Sequence, residues 1–405
     1  MYAPYLYFII ARVIGLSARP ALLFYFVSTD SMEYAGNIAL IYLYLAGVMI
    51  LFSVPVHFDF YKKYFGSKEK LKVCRMEIEQ YALLLTNHFF LIVGFVLIFI
   101  FIMFDDKLLA SLVVFLLISE KVFDEIQRFM QFAKNFTLWS NVFIIKSIFP
   151  LLCVVWADKM EVEGLVYIYI FLLVFLNLII FYVLVPPYFK KVFSGKFKIK
   201  LKSINEYYYY FKSMLLDKFL LGVTNVNIIN ADKWILSIFH KKLMLTEVMM
   251  ISQVANGIPI AASYAFMSHR RAELVGRNNL KTLWLDFKVP LITATFGFVV
   301  GVFLIFALST EVLSLSIIQT GQIISIIAIY TLFGAGEPIH EYLFWNGNKK
   351  KMIFINVLFF IGALVAGIFL IENGNFQEFY FSLVFLTIFR LLAYIKLLIS
   401  EVVKE

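Results

Sequence analysis

The charges between the apolar stretches of this chain alternate in sign, and this alternation constrains its fold more than any other feature. About twelve long apolar stretches run along the chain, and every second connection between them is basic. The basic connections are 59–79, 189–212, 269–282 and 346–351, and the others are short and mostly acidic or neutral. Because positively charged loops stay in the cytoplasm, the pattern predicts a membrane protein with both termini inside. The connection 240–246 breaks the rule, since it is predicted to be external yet carries Lys241 and Lys242.

The composition agrees with a chain that lies mostly in lipid. It is 62% hydrophobic and only 16% charged, whereas soluble domains are about 25% charged. A spanning helix needs roughly 20 apolar residues, and strands of a membrane barrel would be shorter and strictly alternating. We therefore predict an all-α integral membrane protein with about twelve transmembrane helices. The predicted spans are 5–27, 34–57, 80–104, 108–133, 138–157, 163–187, 213–239, 244–268, 283–308, 312–345, 352–371 and 377–400.

The longest basic connection lies between the sixth and seventh predicted spans and divides the chain in two. We predict an N-terminal lobe of six helices at 1–195, a basic cytoplasmic linker at 196–212 and a C-terminal lobe of six helices at 213–405. Six spans return the chain to the same side of the membrane, so the two lobes are expected to share one orientation around a central cavity.

Several function classes are excluded or disfavoured by what the sequence contains. The net charge of +9 resides in alternate connections, where topology explains it better than nucleic-acid binding. Cys74 and Cys153 form neither a disulfide framework nor a metal pair. The chain has no P-loop, no HExxH and no GxSxG, so it predicts no ATP hydrolysis, no metal site and no cofactor.

Cations inside the predicted spans need a reason, because an ionisable group at bilayer depth costs at least about 2.5–3.5 kcal/mol. For Lys218 and Lys288, near the predicted cytoplasmic ends, we favour side chains that reach toward water. For the deeper cations we favour a solvated cavity or a bound anion, and pyrophosphate suits the donors of Arg and Lys. The residues predicted to line a central cationic cavity are Arg12, Arg19, Lys146, Lys218, Lys233, Lys288 and Arg390.

The seventh predicted span carries an unusual density of amides and carboxylates. Asn225, Asn227, Asn230 and Asp232 occur within eight residues, followed by Lys233. Oxygen ligands of this type suit Na⁺ or accept a proton, which makes Asn230 and Asp232 candidates for ion coupling. Hydrogen bonds between helices explain such residues equally well, and the sequence leaves both interpretations open.

Three further carboxylates are candidates for ion coupling. Glu337 and Glu341 lie one turn apart in the tenth span, and they either carry a coupling proton or form salt bridges with 349–351 at the cytoplasmic mouth. We favour the mouth. Asp124 in the fourth span is a coupling candidate or a local partner of Arg128, just as Lys121 is of Glu125.

Two stretches carry a resemblance to a known family. The seventh span reads Asn-Ala-Asp-Lys-Trp-Ile-Leu-Ser-Ile-Phe at 230–239, with Glu247 opening the next helix. The first span carries Arg12 and Arg19, followed by Ser-Met-Glu-Tyr-Ala at 31–35. With twelve spans and no soluble domain, the chain resembles the polysaccharide-repeat-unit (Wzx-type O-antigen) flippases of the multidrug/oligosaccharidyl-lipid/polysaccharide (MOP) exporter superfamily. It departs from that family's usual glycines at Ala35 and Val248.

The resemblance implies a fold and a function. It implies a transporter that moves undecaprenyl-pyrophosphate-linked oligosaccharide from the cytoplasmic to the periplasmic face of the bacterial inner membrane. This step belongs to O-antigen and lipopolysaccharide biosynthesis. Two bundles of six helices would alternate around the cavity, coupled to a gradient of Na⁺ or H⁺. The family also suggests a polysaccharide polymerase as a partner.

Two other functions compete with this one. A multidrug (MATE-like) cation antiporter has the same fold, but a cationic cavity should repel its substrates. A membrane glycan polymerase also has many spans, but this class resembles proteins in which a large external loop hosts catalysis. The predicted external connections here are all short.

Overall fold

The computed structural model describes residues 3–29, 31–52, 70–104, 106–132, 136–192, 205, 208–209, 211–253, 255, 288, 292, 295–296, 298–299, 302–303 and 319–402. The regular structure of these residues is helical throughout. In chain order the helices are α1 (Ala3–Ser28), α2 (Met32–Val48), α3 (Lys70–Met103), α4 (Lys107–Phe132), α5 (Phe136–Lys159), α6 (Leu165–Val192), α7 (Leu216–Ile229), α8 (Ala231–Ile238), α9 (242–253), α10 (Thr320–Asn346), α11 (Lys349–Ile371) and α12 (Phe376–Val402).

Many of these helices have the length and composition of membrane spans. Among the described residues, six helical segments are long and apolar enough to cross a membrane. They are Met32–Phe52, Thr137–Lys159, Leu165–Val183, Thr320–Phe344, Lys349–Ile371 and Phe376–Glu401. Exposed apolar side chains such as Phe369 and Phe389 lie on their outer faces, as expected for helices that face lipid. The described part of the chain is thus all-helical, with several apolar spans.

Two of the predicted connections are partly helical. The connection 59–79 was predicted to be a loop, but α3 begins at Lys70 and includes Lys72 and Arg75. The connection 346–351 was likewise predicted to be a loop, but α11 begins at Lys349. These boundaries were wrong because an apolar segment ends at the first charged residues, whereas the helix that contains it continues through them. Lys, Arg and Glu are good helix formers, so the backbone stays helical beyond the apolar segment.

The connection between α3 and α4 shows how the sequence starts a helix. The carboxylate of Asp106 accepts the backbone N–H of Leu108 at 2.8 Å and of Leu109 at 3.1 Å, which caps the first turn of α4. Tyr167, near the start of α6, donates its hydroxyl to the same carboxylate. The hydrogen bond from Tyr167, followed by that from Leu109, lowers the pKa of Asp106.

The seventh predicted span is broken. It was predicted to be continuous over 213–239, but α7 ends at Ile229 and α8 begins at Ala231. Asn230 lies between them with φ −110° and ψ 17°. Its side-chain amide donates to the carbonyl of Val226 at 3.0 Å, so the amide competes for the backbone as asparagine does in helices.

The helices group into two compact units. The first comprises Met1–Phe8 and Tyr44–Val223, and in it α4 packs against α3, α5 and α6. The second comprises Ile9–Leu43 and Thr224–Glu405, and in it α12 packs against α10 and α11 while α8 packs against α11. This grouping places residues 9–43 differently from the predicted lobes, and the lobes at 1–195 and 213–405 stay a prediction.

Candidate functional site

A buried ion pair joins α5 to α4 in the first unit. The ammonium Nζ of Lys146 lies 2.6 Å from Oε2 of Glu120 and 3.5 Å from the ring centre of Phe123. Asn177 on α6 donates its side-chain amide to Oε1 of Glu120 at 3.0 Å and to the hydroxyl of Ser119 at 3.1 Å. Helix α5 carries no acidic residue within one turn of Lys146, and Glu120 on the neighbouring helix α4 is its ionic partner.

A second charged cluster on α4 is centred on Lys121, the residue that follows Glu120. Nζ of Lys121 lies 2.5 Å from Glu125 and 3.3 Å from Asp124, so the predicted pair of Lys121 with Glu125 is confirmed. Asp124 is a half-buried member of this cluster. Together the two clusters hold three carboxylates, Glu120, Asp124 and Glu125, against the two ammonium groups.

In the second unit, Arg390 on α12 is buried and held by amides. Its Nε donates to Oδ1 of Asn356 at 3.0 Å and its Nη2 donates to Oδ1 of Asn225 at 2.7 Å. Tyr394 also donates its hydroxyl to Oδ1 of Asn356, at 2.7 Å. The guanidinium lies 4.6 Å from the ring centre of Tyr394 and 5.0 Å from that of Phe333. No carboxylate contacts Arg390 among the residues described.

The break between α7 and α8 builds a third cluster. Asp232 and Lys233 are 3% and 2% exposed, and Nζ of Lys233 lies 3.7 Å from Oδ1 of Asp232. The ammonium also lies 3.4 Å from Oδ1 of Asn230 and donates to the hydroxyl of Tyr330 on α10. Tyr330 in turn donates to the carbonyl of Ile229 at 3.1 Å and lies 3.3 Å from Asp232.

The other predicted site residues occupy more varied places. Arg19 is exposed, with its guanidinium 5.3 Å from the ring centre of Tyr42. Lys288 is exposed, and Lys218 and Glu337 are half-buried. The side chains of Arg12 and Glu341 lie outside what the structure describes. The predicted central cavity, which would draw cations from both units, stays a prediction.

Three neutral partners were missed by sequence reasoning: Asn177, Asn356 and Tyr330. Each is a polar residue within a long apolar span, and the two asparagines stand among apolar neighbours at 165–183 and 352–371. A lone amide in such a span was the available signal, since buried polar groups in membranes find hydrogen-bond partners. Within the described part of the chain, no group of three His, Cys, Asp or Glu residues is arranged to hold a metal ion.

Comparison with known proteins gives likenesses of backbone only. No protein-family model and no curated protein matches the chain. The whole chain aligns with 86% of an outward-facing multidrug resistance MATE family transporter of the MOP superfamily, at a TM-score of 0.47 and 13% identity. It aligns over 99% of its length with 85% of MATE in complex with MaD5 (TM-score 0.46, 13% identity). The chain also aligns, over 99% of its length, with 86% of a MOP superfamily transporter from Pyrococcus furiosus (TM-score 0.39, 12% identity). That transporter is described as having a binding pocket of reverse polarity.

Proposed function

We propose that this chain is a MOP-type transporter that flips undecaprenyl-pyrophosphate-linked oligosaccharide from the cytoplasmic to the periplasmic face of the bacterial inner membrane. The observation that carries the proposal is the setting of Arg390. It is 8% exposed, lies within an apolar span and is contacted by amide oxygens and aromatic rings rather than by a carboxylate among the described residues.

The chemistry of arginine explains why this setting favours an anionic substrate. The guanidinium stays protonated in proteins, so its charge persists in the helix bundle. Amides orient two of its N–H groups but do not neutralise it. An ionisable group kept inside a membrane at such a cost usually has a functional partner. A pyrophosphate group supplies that partner, because its oxygens match the planar fork of the guanidinium.

Lys146 supports the proposal less directly. Its charge is balanced by Glu120 at 2.6 Å, so a phosphate would have to compete with that carboxylate. Arg390 is therefore the residue on which we base anion recognition. We assign Lys146 a secondary role, in which it binds the phosphate only when its ion pair with Glu120 opens.

The sequence resemblance supplies the substrate class. The stretch 230–239 and the opening of the chain resemble the O-antigen flippases, whose substrates carry a pyrophosphate between lipid and sugar. In the proposed cycle the headgroup enters from the cytoplasm and the lipid tail stays in the bilayer. Alternation of the two predicted lobes then exposes the headgroup to the periplasm, as in other transporters built of repeated bundles.

A second candidate is an exporter of organic cations. The observation in its favour is the first unit, in which the ion pairs of the described residues join three carboxylates (Glu120, Asp124 and Glu125) to two ammonium groups (Lys121 and Lys146). The carboxylate of Asp124 is 26% exposed, so a cation from solution can reach it. Arg390, in contrast, is only 8% exposed.

Transport in proteoliposomes separates the two candidates. The protein is reconstituted with a fluorescent lipid-pyrophosphate oligosaccharide, and flipping is read as the fraction quenched by dithionite. A parallel sample measures uptake of ethidium. We expect faster flipping than in empty vesicles, loss of that flipping in Arg390→Lys, and retention in Lys396→Ala, which removes an exposed cation from the same helix. Ethidium transport without lipid flipping would establish the second candidate instead.

A further inference from the structure

The break in the seventh span creates an oxygen-rich site inside the second unit. At Asn230 the regular hydrogen bonding of the helix is interrupted, and the carbonyl of Ile229 accepts from the hydroxyl of Tyr330 at 3.1 Å. The carboxylate of Asp232 lies in the first turn of α8, where the positive end of the helix dipole favours an anion. Broken helices of this kind hold coupling cations in transporters, through freed backbone carbonyls and side-chain oxygens.

The ammonium of Lys233 already occupies the centre of these oxygens. Its Nζ donates to the hydroxyl of Tyr330 and lies 3.4 Å from Oδ1 of Asn230 and 3.7 Å from Oδ1 of Asp232. The residue is 2% exposed, so this cation is withdrawn from solvent. Carboxylate, amide and hydroxyl oxygens are the hard ligands that suit an alkali cation equally well.

A further oxygen near the cluster is unsatisfied. Tyr380 on α12 is fully buried and its hydroxyl has no hydrogen-bond partner among the described residues. It interacts electrostatically with Asp232. An unsatisfied buried hydroxyl is destabilising, and this one offers a further oxygen to a cation bound at Asp232.

We propose that Lys233 is a resident cation that takes the place of Na⁺ at the broken span. The tethered ammonium and a free Na⁺ would compete for Asp232 and Asn230, because two cations held at one carboxylate in a dry site repel each other strongly. The described titratable groups that contact the ammonium are Asp232 and Tyr330. With one carboxylate and one ammonium, the site is electrically balanced without any ion from solution.

This inference reassigns Lys233 and restricts the coupling ion. The sequence placed Lys233 in a cationic substrate cavity, whereas here its charge is directed into the cluster of Asp232 and Tyr330. Calling the cluster a coupling site rests on the proposed function, but Na⁺ binding does not. The consequence is that a Na⁺ gradient does not drive transport through this site while Lys233 is present.

The test is Na⁺ binding by the purified protein, measured as Tm in detergent with NaCl or with choline chloride at equal ionic strength. We expect the wild-type Tm to be the same in both salts. Lys233→Met removes the ammonium and keeps much of the volume, so Na⁺ should then raise Tm saturably, by at least about 2 °C. The rise should disappear in Lys233→Met combined with Asp232→Asn. Lys396→Met, which removes an exposed lysine, should show no response.

Two results would overturn the proposal. One is a saturable Na⁺-specific rise of Tm in the wild type that Asp232→Asn abolishes. The other is a folded Lys233→Met protein that responds to Na⁺ no more than Lys396→Met does. Should Lys233→Met not fold, equilibrium binding of ²²Na⁺ to the wild type decides, since binding above the level of Asp232→Asn contradicts the idea and its absence supports it. Each readout is binding, so it stands even if the protein flips no lipid.

Discussion

Nζ of Lys146 lies 2.6 Å from Oε2 of Glu120, and the two residues belong to different helices, α5 and α4. Their side chains are 8% and 10% exposed, so each charge depends on the other far more than a surface pair would. The amide of Asn177, on α6, fixes the second oxygen of the carboxylate at 3.0 Å. Three helices of the first unit therefore meet at one carboxylate.

Removal of one member of this pair is expected to destabilise the first unit more than removal of both charges. Lys146→Met should lower the free energy of unfolding by about 3–5 kcal/mol, because it leaves the carboxylate of Glu120 buried without this ammonium. Adding Glu120→Gln should restore most of that loss, since glutamine still accepts from Asn177. Tm in detergent measures both, with the exposed Lys159→Ala as the control on the same helix. Equal losses in the single and double variants would show that the pair does not hold these helices.

Asn356 is expected to act as a shared acceptor for the second unit. Asn356→Leu removes the oxygen to which both Arg390 and Tyr394 donate, at 3.0 and 2.7 Å. Leaving these donors unsatisfied should cost about 1–3 kcal/mol of stability and should also abolish lipid flipping, because the guanidinium loses its orientation. Lys396→Ala, which removes an exposed side chain from α12, should change stability by less than about 0.5 kcal/mol. Normal flipping in a folded Asn356→Leu protein would argue against Arg390 as the oriented anion site.

Gly367 is expected to be required for the close packing of α11 on α8. A Cβ atom at this position would lie 2.5 Å from Cγ2 of Ile235, so Gly367→Ala should cost about 1–3 kcal/mol by overpacking. The double variant with Ile235→Ala should cost less than the sum of the two single changes, because the clashing methyl is gone. Gly94→Ala, where a Cβ meets open space, should be neutral or slightly stabilising. If the stability losses of the two single variants simply add in the double variant, the clash with Ile235 is not the cause of the destabilisation.

Asp106 is expected to make stability depend on pH in the acid range. Its pKa is lowered in the folded protein, chiefly by the hydrogen bond from Tyr167. The stabilisation is therefore complete above the pKa of the unfolded carboxyl, about 3.9, and is lost as pH falls through the lower folded pKa. Tyr167→Phe should lower Tm at pH 7, and the difference from wild type should shrink toward pH 3. A difference that stays constant with pH would show that Tyr167 acts through packing alone.

The periodic features of the fold were predictable from the sequence. Apolar length gave the helical class and many helix positions. The predicted spans that end at 157 and 371 and resume at 163 and 377 match the turns after α5 and α11 to within two residues. The starts at Lys70 and Lys349 were missed, because charged residues with high helix propensity continue a helix into water. The break at Asn230 depends on competition between side-chain and backbone hydrogen bonds, which periodicity does not express.

The candidate site was predictable in its charges but not in its pairing. Lys146, Asp232, Lys233 and Arg390 stood out because charge inside an apolar span is rare. The hydrogen-bond partners of Lys146 and Arg390 lie 26 residues or more away, and Asn225 lies 165 residues from Arg390. Only the packing of the helices brings such residues together. The change in our assignment of Lys233 follows from that packing.

The most direct test of the proposed function is the sidedness of lipid-linked repeat units in cells that lack this gene. Spheroplasts are probed with an impermeant reagent for the sugar headgroup, after complementation with wild type, Arg390→Lys or Lys396→Ala. We predict that repeat units are trapped on the cytoplasmic face without the gene and with Arg390→Lys, and reach the outer face with the other two. Single repeat units accumulating unpolymerised on the outer face of the deletion strain would contradict this account, because they would identify a polymerase rather than a flippase.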